Sequence, residues 1–256
     1  MFCWIPSRFA AYNQVGFRSP PGCPVTLAVS DPDGITIKAT DFTFTDREVL
    51  RETADSLYDT DADAVISPVL KTGAYFIQVS PKLGTQATDT YSLLVQAGSS
   101  SVALAQSVLI SNIPAEGYAI SSVGGQIAEL LPFYIFQIDG DLESHGKELD
   151  LQGHFTLGSR TVAIDPTTED VTIQVGTFFI RIPSGSFVHR GGGGVEFEGV
   201  LDGSSIDAQI KPLGGKRFVF NIEAKGVNVA VLSITVNASL TVGNTGGRAL
   251  LSMDQD

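Results

Sequence analysis

The stretch "SLYDTDADAV" (residues 56–65) sets Asp59, Asp61 and Asp63 at alternate positions. Carboxylates are the hard oxygen donors that Ca²⁺ takes, and Ca²⁺ tolerates irregular coordination. Eight acids fall within residues 41–63, where Arg47 and Arg51 are the only counter-charges. Crowding of that kind is relieved by water or by a bound cation. Asp59, Asp61 and Asp63 are therefore candidate Ca²⁺ ligands, set against the plainer reading of a solvated acidic loop between two strands.

Other chemistry-bearing residues fit known motifs poorly. "HRGGGGVE" (189–196) and "GGKR" (214–217) are glycine-rich, but a phosphate-binding P-loop needs Gly-Lys-Ser/Thr, and Val195 and Arg217 break the pattern. Both are expected to be hairpin turns. Ser186 and His189 lie three apart, which on a strand means opposite faces, and no nucleophile elbow surrounds the serine. His145, His154 and His189 lack metal-binding spacing, and His154 is expected at a strand surface. Asn237 heads an Asn-Ala-Ser sequon inside a strand pattern and is read as an outward-facing strand residue. Tyr58, Tyr75 and Tyr91 could form a carbohydrate platform, but strand aromatics more often pack inside. No catalytic constellation is expected, and the chain is read as not an enzyme.

The bulk properties narrow the partners. With 256 residues and 43% hydrophobic side chains, the chain can build one large or two ordinary cores. A net charge of −12 disfavours nucleic acid and anionic membrane surfaces, and suits divalent cations. No apolar run reaches the length of a membrane span. Cys3 and Cys23 can form a bridge in an oxidising compartment, but two cysteines make no disulfide framework. The opening "MFCWIPSRFAAYNQVGF" lacks the basic and apolar regions of an export signal. The chain is expected to be a terminal piece of a longer polypeptide, or to carry a misplaced start.

The elements that position these residues read as β throughout. Residues 1–22 show no clean periodicity. "PVTLAVS" (24–30) alternates Val25, Leu27 and Val29 before the turn residues "DPDG" (31–34). Strands are expected in "GITIK", "DFTFT", "AVIS" (64–67), "AYFIQVS" (74–80), "DTYSLLVQA" (89–97) and "SVALAQSVLI" (101–110), with a short helix over 45–57 from a capping-box pair, Thr45 and Glu48. Residues 111–125 read as a linker by composition. The apolar run 126–140 reads as a short helix broken at Pro132, then a strand over 133–138, placed between domains. From Leu149 onward six segments alternate, with turns at "PSGS", "LDGSS" and "PLGGK". At Val231–Leu232 the alternation slips by one, which predicts a β-bulge or a corner between sheets.

"CPVTLAVSDPDG" (23–34), "TGAYFIQVSP" (72–81), "TDTYSLLV" (88–95) and "LAQSVLISNIP" (104–114) resemble an immunoglobulin-like module of large secreted or surface proteins of environmental bacteria. "FTLG" (155–158), "IDPTTEDVTIQVG" (164–176), "IPSGSF" (182–187), "FEGVLDG" (197–203) and "IKPLGGKRFVF" (210–220) are similar to a repeat placed C-terminally in such proteins. The resemblance implies an acidic calcium-type loop before the strand near Val65, which Asp59, Asp61 and Asp63 match. An EF-type loop wants Gly sixth and Glu twelfth, where this chain has Ala64 and Leu70. The expected fold is all-β. Two antiparallel β-sandwich-like domains, 23–122 and 147–256, follow an irregular segment 1–22 and are joined by an apolar linker 123–146. The expected function is a non-catalytic extracellular structural or adhesive module, Ca²⁺-stiffened at the acidic loop, with neighbouring β modules, a protein or a glycan as partner. The alternative is a C-terminal accessory region of a secreted hydrolase that binds substrate or carbohydrate.

Overall fold

The computed structural model describes residues 15–18, 24–39, 49–50, 57–59, 64–67, 70–143, 147–227 and 235–252. Among these the regular structure is strand, with two 3₁₀ turns and no α-helix. The chain divides into two compact units, Met1–Leu130 and Leu131–Asp256.

In the first unit, β1 (Val15–Arg18), β5 (Leu57–Asp59), β6 (Ala64–Ser67), β8 (Thr90–Ala97) and β9 (Ser100–Leu109) make one antiparallel sheet in the order β5-β6-β1-β8-β9. A second sheet runs β4-β3-β2-β7-β10, from β2 (Val25–Ser30), β3 (Thr36–Ala39), β4 (Val49–Leu50), β7 (Gly73–Pro81) and β10 (Tyr118–Val123). Residues 126–130 of β11 (Gln126–Glu143) extend it beside β10. The alternation in sequence becomes alternation in burial: Val25, Leu27 and Val29 are inside, and Thr26 and Ala28 less so. Leu27, Ile77 and Ile120 of one sheet and Leu93 and Val95 of the other share one buried cluster, which makes the unit a β-sandwich. Each such side chain contributes about 1.5–3 kcal/mol by leaving water. Tyr91 and Tyr118 join the two sheets through their hydroxyls at 2.6 Å, so that neither buried phenol lacks a partner.

The second unit holds the rest of β11 with β12 (Glu148–Leu157), β15 (Val188–His189), β16 (Val195–Leu201), β17 (Ser204–Gly214) and β18 (Arg217–Lys225), ordered β15-β16-β17-β18-β12-β11. Facing it are β13 (Val171–Val175), β14 (Phe178–Ile182), β19 (Thr235–Val242) and β20 (Thr245–Ser252), ordered β14-β13-β19-β20. Buried residues of both layers, among them Leu151, Phe155, Ile206 and Ile222 against Ile173, Ile180 and Leu240, form a single core. Phe155 stacks on Phe133 and Phe218, with ring centroids 4.3 and 5.1 Å away. At Gly153 a Cβ would stand 2.2 Å from the Gln137 carbonyl oxygen and 2.7 Å from the Phe220 ring, so only glycine fits beneath that ring.

Several expectations are corrected. Residues 126–143 form one strand, not a helix followed by a strand. Pro132 does not break it: Leu131 and Pro132 pair in parallel with Thr245 and Gly246, and residues 133–143 then pair with β12. Tyr118–Val123, read as linker, is a strand between β7 and β11 with Tyr118, Ala119 and Ile120 buried. Val15–Arg18, in the stretch read as irregular, pairs with both β6 and β8. Val49–Leu50, inside the expected helix 45–57, pairs with β3. The strand at 41–45 and the slip at Val231–Leu232 lie outside the described residues.

Candidate functional site

Of the expected Ca²⁺ ligands, Asp59 is the last residue of β5. β5 and β6 are antiparallel, with Asp59 opposite Ala64, and residues 60–63 connect them. Asp61, Asp63, Cys3, Cys23 and His145 lie outside the described residues, as do the side chains of Tyr58 and Asp59. Among the described residues no group of three or more His, Cys, Asp or Glu stands close enough to hold a metal ion. No helix there is long and apolar enough to cross a membrane.

The remaining candidates fall into strands and turns. Tyr75 and Tyr91 are core residues, so neither offers a sugar platform. Asn237 lies opposite in phase to the buried Ala238, Leu240 and Val242, facing away from the core. His154 is exposed on β12. Both glycine stretches are hairpin connections, between β15 and β16 and between β17 and β18. Lys216, at the second, donates its ammonium to the carbonyls of Gly158, Ser159 and Thr161 at 3.1, 3.4 and 2.7 Å. That lysine ties the 158–161 loop to the hairpin and is oriented to backbone oxygens.

One ion-pair cluster went unread in sequence. The turn "DPDG" folds with Gly34 N–H donating to the Asp31 carbonyl at 2.9 Å, Gly34 itself being at φ 86°. Asp31, 3% exposed, accepts from Ile35 N–H at 2.9 Å and from the Lys71 ammonium at 2.5 Å. The same ammonium reaches Asp33 at 2.5 Å, while Lys71 N–H donates to the Tyr75 hydroxyl at 2.7 Å. Partial burial favours neutral Lys71, but the bonds and charges of Asp31 and Asp33 outweigh it and raise its pKa. Burial pushes the Tyr75 hydroxyl up to about 12, opposed by the Lys71 N–H and assisted by the Asp31 charge. This cluster clamps two loops together.

A second polar arrangement is the outer face of the second unit's wider sheet. Along β12, Leu149, Leu151 and Phe155 point inward, and Asp150, Gln152 and His154 point out. The pairing register then lines up side chains from five strands. Asp141, Asp150, Glu223, Asp207 and Glu198 stand directly opposite one another in a single row across β11, β12, β18, β17 and β16. The neighbouring row is Asp139, Gln152, Asn221, Gln209 and Glu196, amides flanked by acids. Each acid in the first row therefore has another acid as its direct cross-strand neighbour, a pairing that is unfavourable without screening. In the second row Gln209 donates to Glu196 at 3.2 Å, and Arg190 also bonds Glu196. At the β11 end a cleft of about 400 Å³ is lined by Asp139, Asp141, Asp150, Gln152, Asn221 and Leu250.

On the opposite layer, Asp170 accepts from Ser184 N–H and from the Arg181 guanidinium, which holds its carboxyl below the ordinary value of 3.8. Asp165 is likewise lowered, by Thr167 through hydroxyl and backbone N–H.

No protein-family model matches the chain, and no curated protein does.

Proposed function

We propose that the chain is a non-catalytic structural or adhesive β module of a larger secreted or surface protein of bacteria, and that it meets its partner through the polar face of the second unit. The observation that supports this is the carboxylate row and amide row, continuous over five antiparallel strands. A sheet face of fixed register presents many side chains at one spacing without ordering a loop on contact. The Asp59–Asp63 hairpin belongs to the same proposal as a Ca²⁺-stiffened loop of the first unit.

The test is retention of the chain on immobilised matrix proteins and glycans, at low and high salt, beside Asp150→Lys/Asp207→Lys/Glu223→Lys. Salt-sensitive retention lost in the triple variant is expected. Equal retention of both would remove the face from the contact, and no retention on any surface would remove adhesion. The cleft beside β11 favours a second reading, a carbohydrate-binding accessory region, because planar amide and carboxylate groups pair with vicinal hydroxyls. Retention on glycans alone, lost in Asn221→Ala, would select it.

A further inference from the structure

We propose that the chain pairs with a second copy of itself along β14, extending the β14-β13-β19-β20 sheet across a twofold axis. Among the described residues β14 pairs with β13 only, so it forms the edge of its layer. The direction of its free groups follows from the ladder. Gly176 N–H donates to the Asn237 carbonyl at 2.9 Å, which turns the even-numbered residues of β13 toward β19. Val171, Ile173 and Val175 therefore bond to Ile182, Ile180 and Phe178, and the N–H and C=O groups of Phe179 and Arg181 point outward. Their side chains are accessible too: Phe179 is 46% exposed and the Arg181 side chain 59%.

A second copy fits this edge because the exposed side chains on either side of Ile180, an aromatic ring and a guanidinium, complement each other. Phe178 and Ile182 lie on the core side, with Phe179 and Arg181 on the outer side. An antiparallel copy centred on Ile180 places Phe179 of each chain directly opposite Arg181 of the other. Those two pairs close with the outward backbone groups, giving four hydrogen bonds. Each sets a guanidinium against an aromatic ring, an attraction that Arg makes while still holding Asp170. Pro183 follows the strand and cannot donate, so the contact stops at these two pairs. So short an interface falls at the weak end of specific association, with a dissociation constant on the order of 0.1–1 mM. Isologous pairing of this kind closes at the dimer.

Sedimentation equilibrium of the full chain up to about 1 mM, near the top of the range expected for a small interface, tests the proposal, with Phe179→Glu and Phe179→Arg beside it. Melts by circular dichroism establish first that both variants fold, as expected for an exposed position. The register predicts opposite outcomes. The introduced glutamate would face Arg181 of the other copy and keep the dimer within about threefold, while the introduced arginine would face a like charge and weaken it about tenfold or more. A monomer throughout would overturn the proposal. So would equal loss in both variants, which would mark general apolar association, or loss in neither.

Discussion

Lys71 holds two aspartates of one turn and, through its own amide, the hydroxyl of a core tyrosine. Removing the ammonium takes from Asp31, 3% exposed, its charged donor. Lys71→Met is expected to cost about 2 kcal/mol at neutral pH, the scale of a hydrogen bond to a charged group, measured by urea unfolding. The pH dependence has a definite sign. Lys71 and Tyr75 both bind their protons more tightly in the folded chain than in the unfolded one. Their stabilisation is therefore complete below pH about 10 and is lost as pH rises further. For Tyr75 the loss runs to about 12. The urea midpoint should fall above pH about 10, and fall less steeply in Tyr75→Phe. A flat profile in the wild type would contradict the linkage.

At the scale of strands, the carboxylate row makes its own prediction. Glu223 stands between Asp150 and Asp207 in register. Glu223→Lys replaces two repulsive pairs by attractive ones and is expected to stabilise by about 0.5–1 kcal/mol, more at low salt. An unchanged melting temperature at low salt would show that the row is already neutralised by bound counter-ions. The strands themselves were legible: Val25, Leu27 and Val29, or Asp150, Gln152 and His154, alternate in sequence as they do in burial. The row was not. β17 and β18 are hairpin neighbours, but β18 also pairs with the distant β12, and nothing local in either strand specifies that partner. Residues 126–143 misled for a different reason. "LLPFYIF" is apolar without alternation, which reads equally as a buried helix, and Pro132 looked like a break. It sits instead where β11 meets β20 in parallel.

For the molecule as a whole, a charge of −12 makes divalent cations natural companions. If Ca²⁺ stiffens the hairpin that links β5 to β6, millimolar Ca²⁺ after EDTA should raise the melting midpoint. A hundredfold excess over Kd corresponds to about 2.7 kcal/mol, and Asp61→Ala should abolish the gain. No shift in the wild type would leave the hairpin simply hydrated. The acidic ladder was readable in sequence because closely spaced residues carry it, whereas the Asp31–Lys71 clamp joins residues forty positions apart.

Gly153 and Phe220 belong to different strands, yet the ring of one occupies the space that a side chain on the other would need. Shrinking the ring does not open the site, because the Gln137 carbonyl oxygen on the other neighbouring strand stands 2.2 Å from where the Cβ would lie. In descendants of this chain, position 153 should stay glycine even where Phe220 has been replaced, while position 220 is free to shrink.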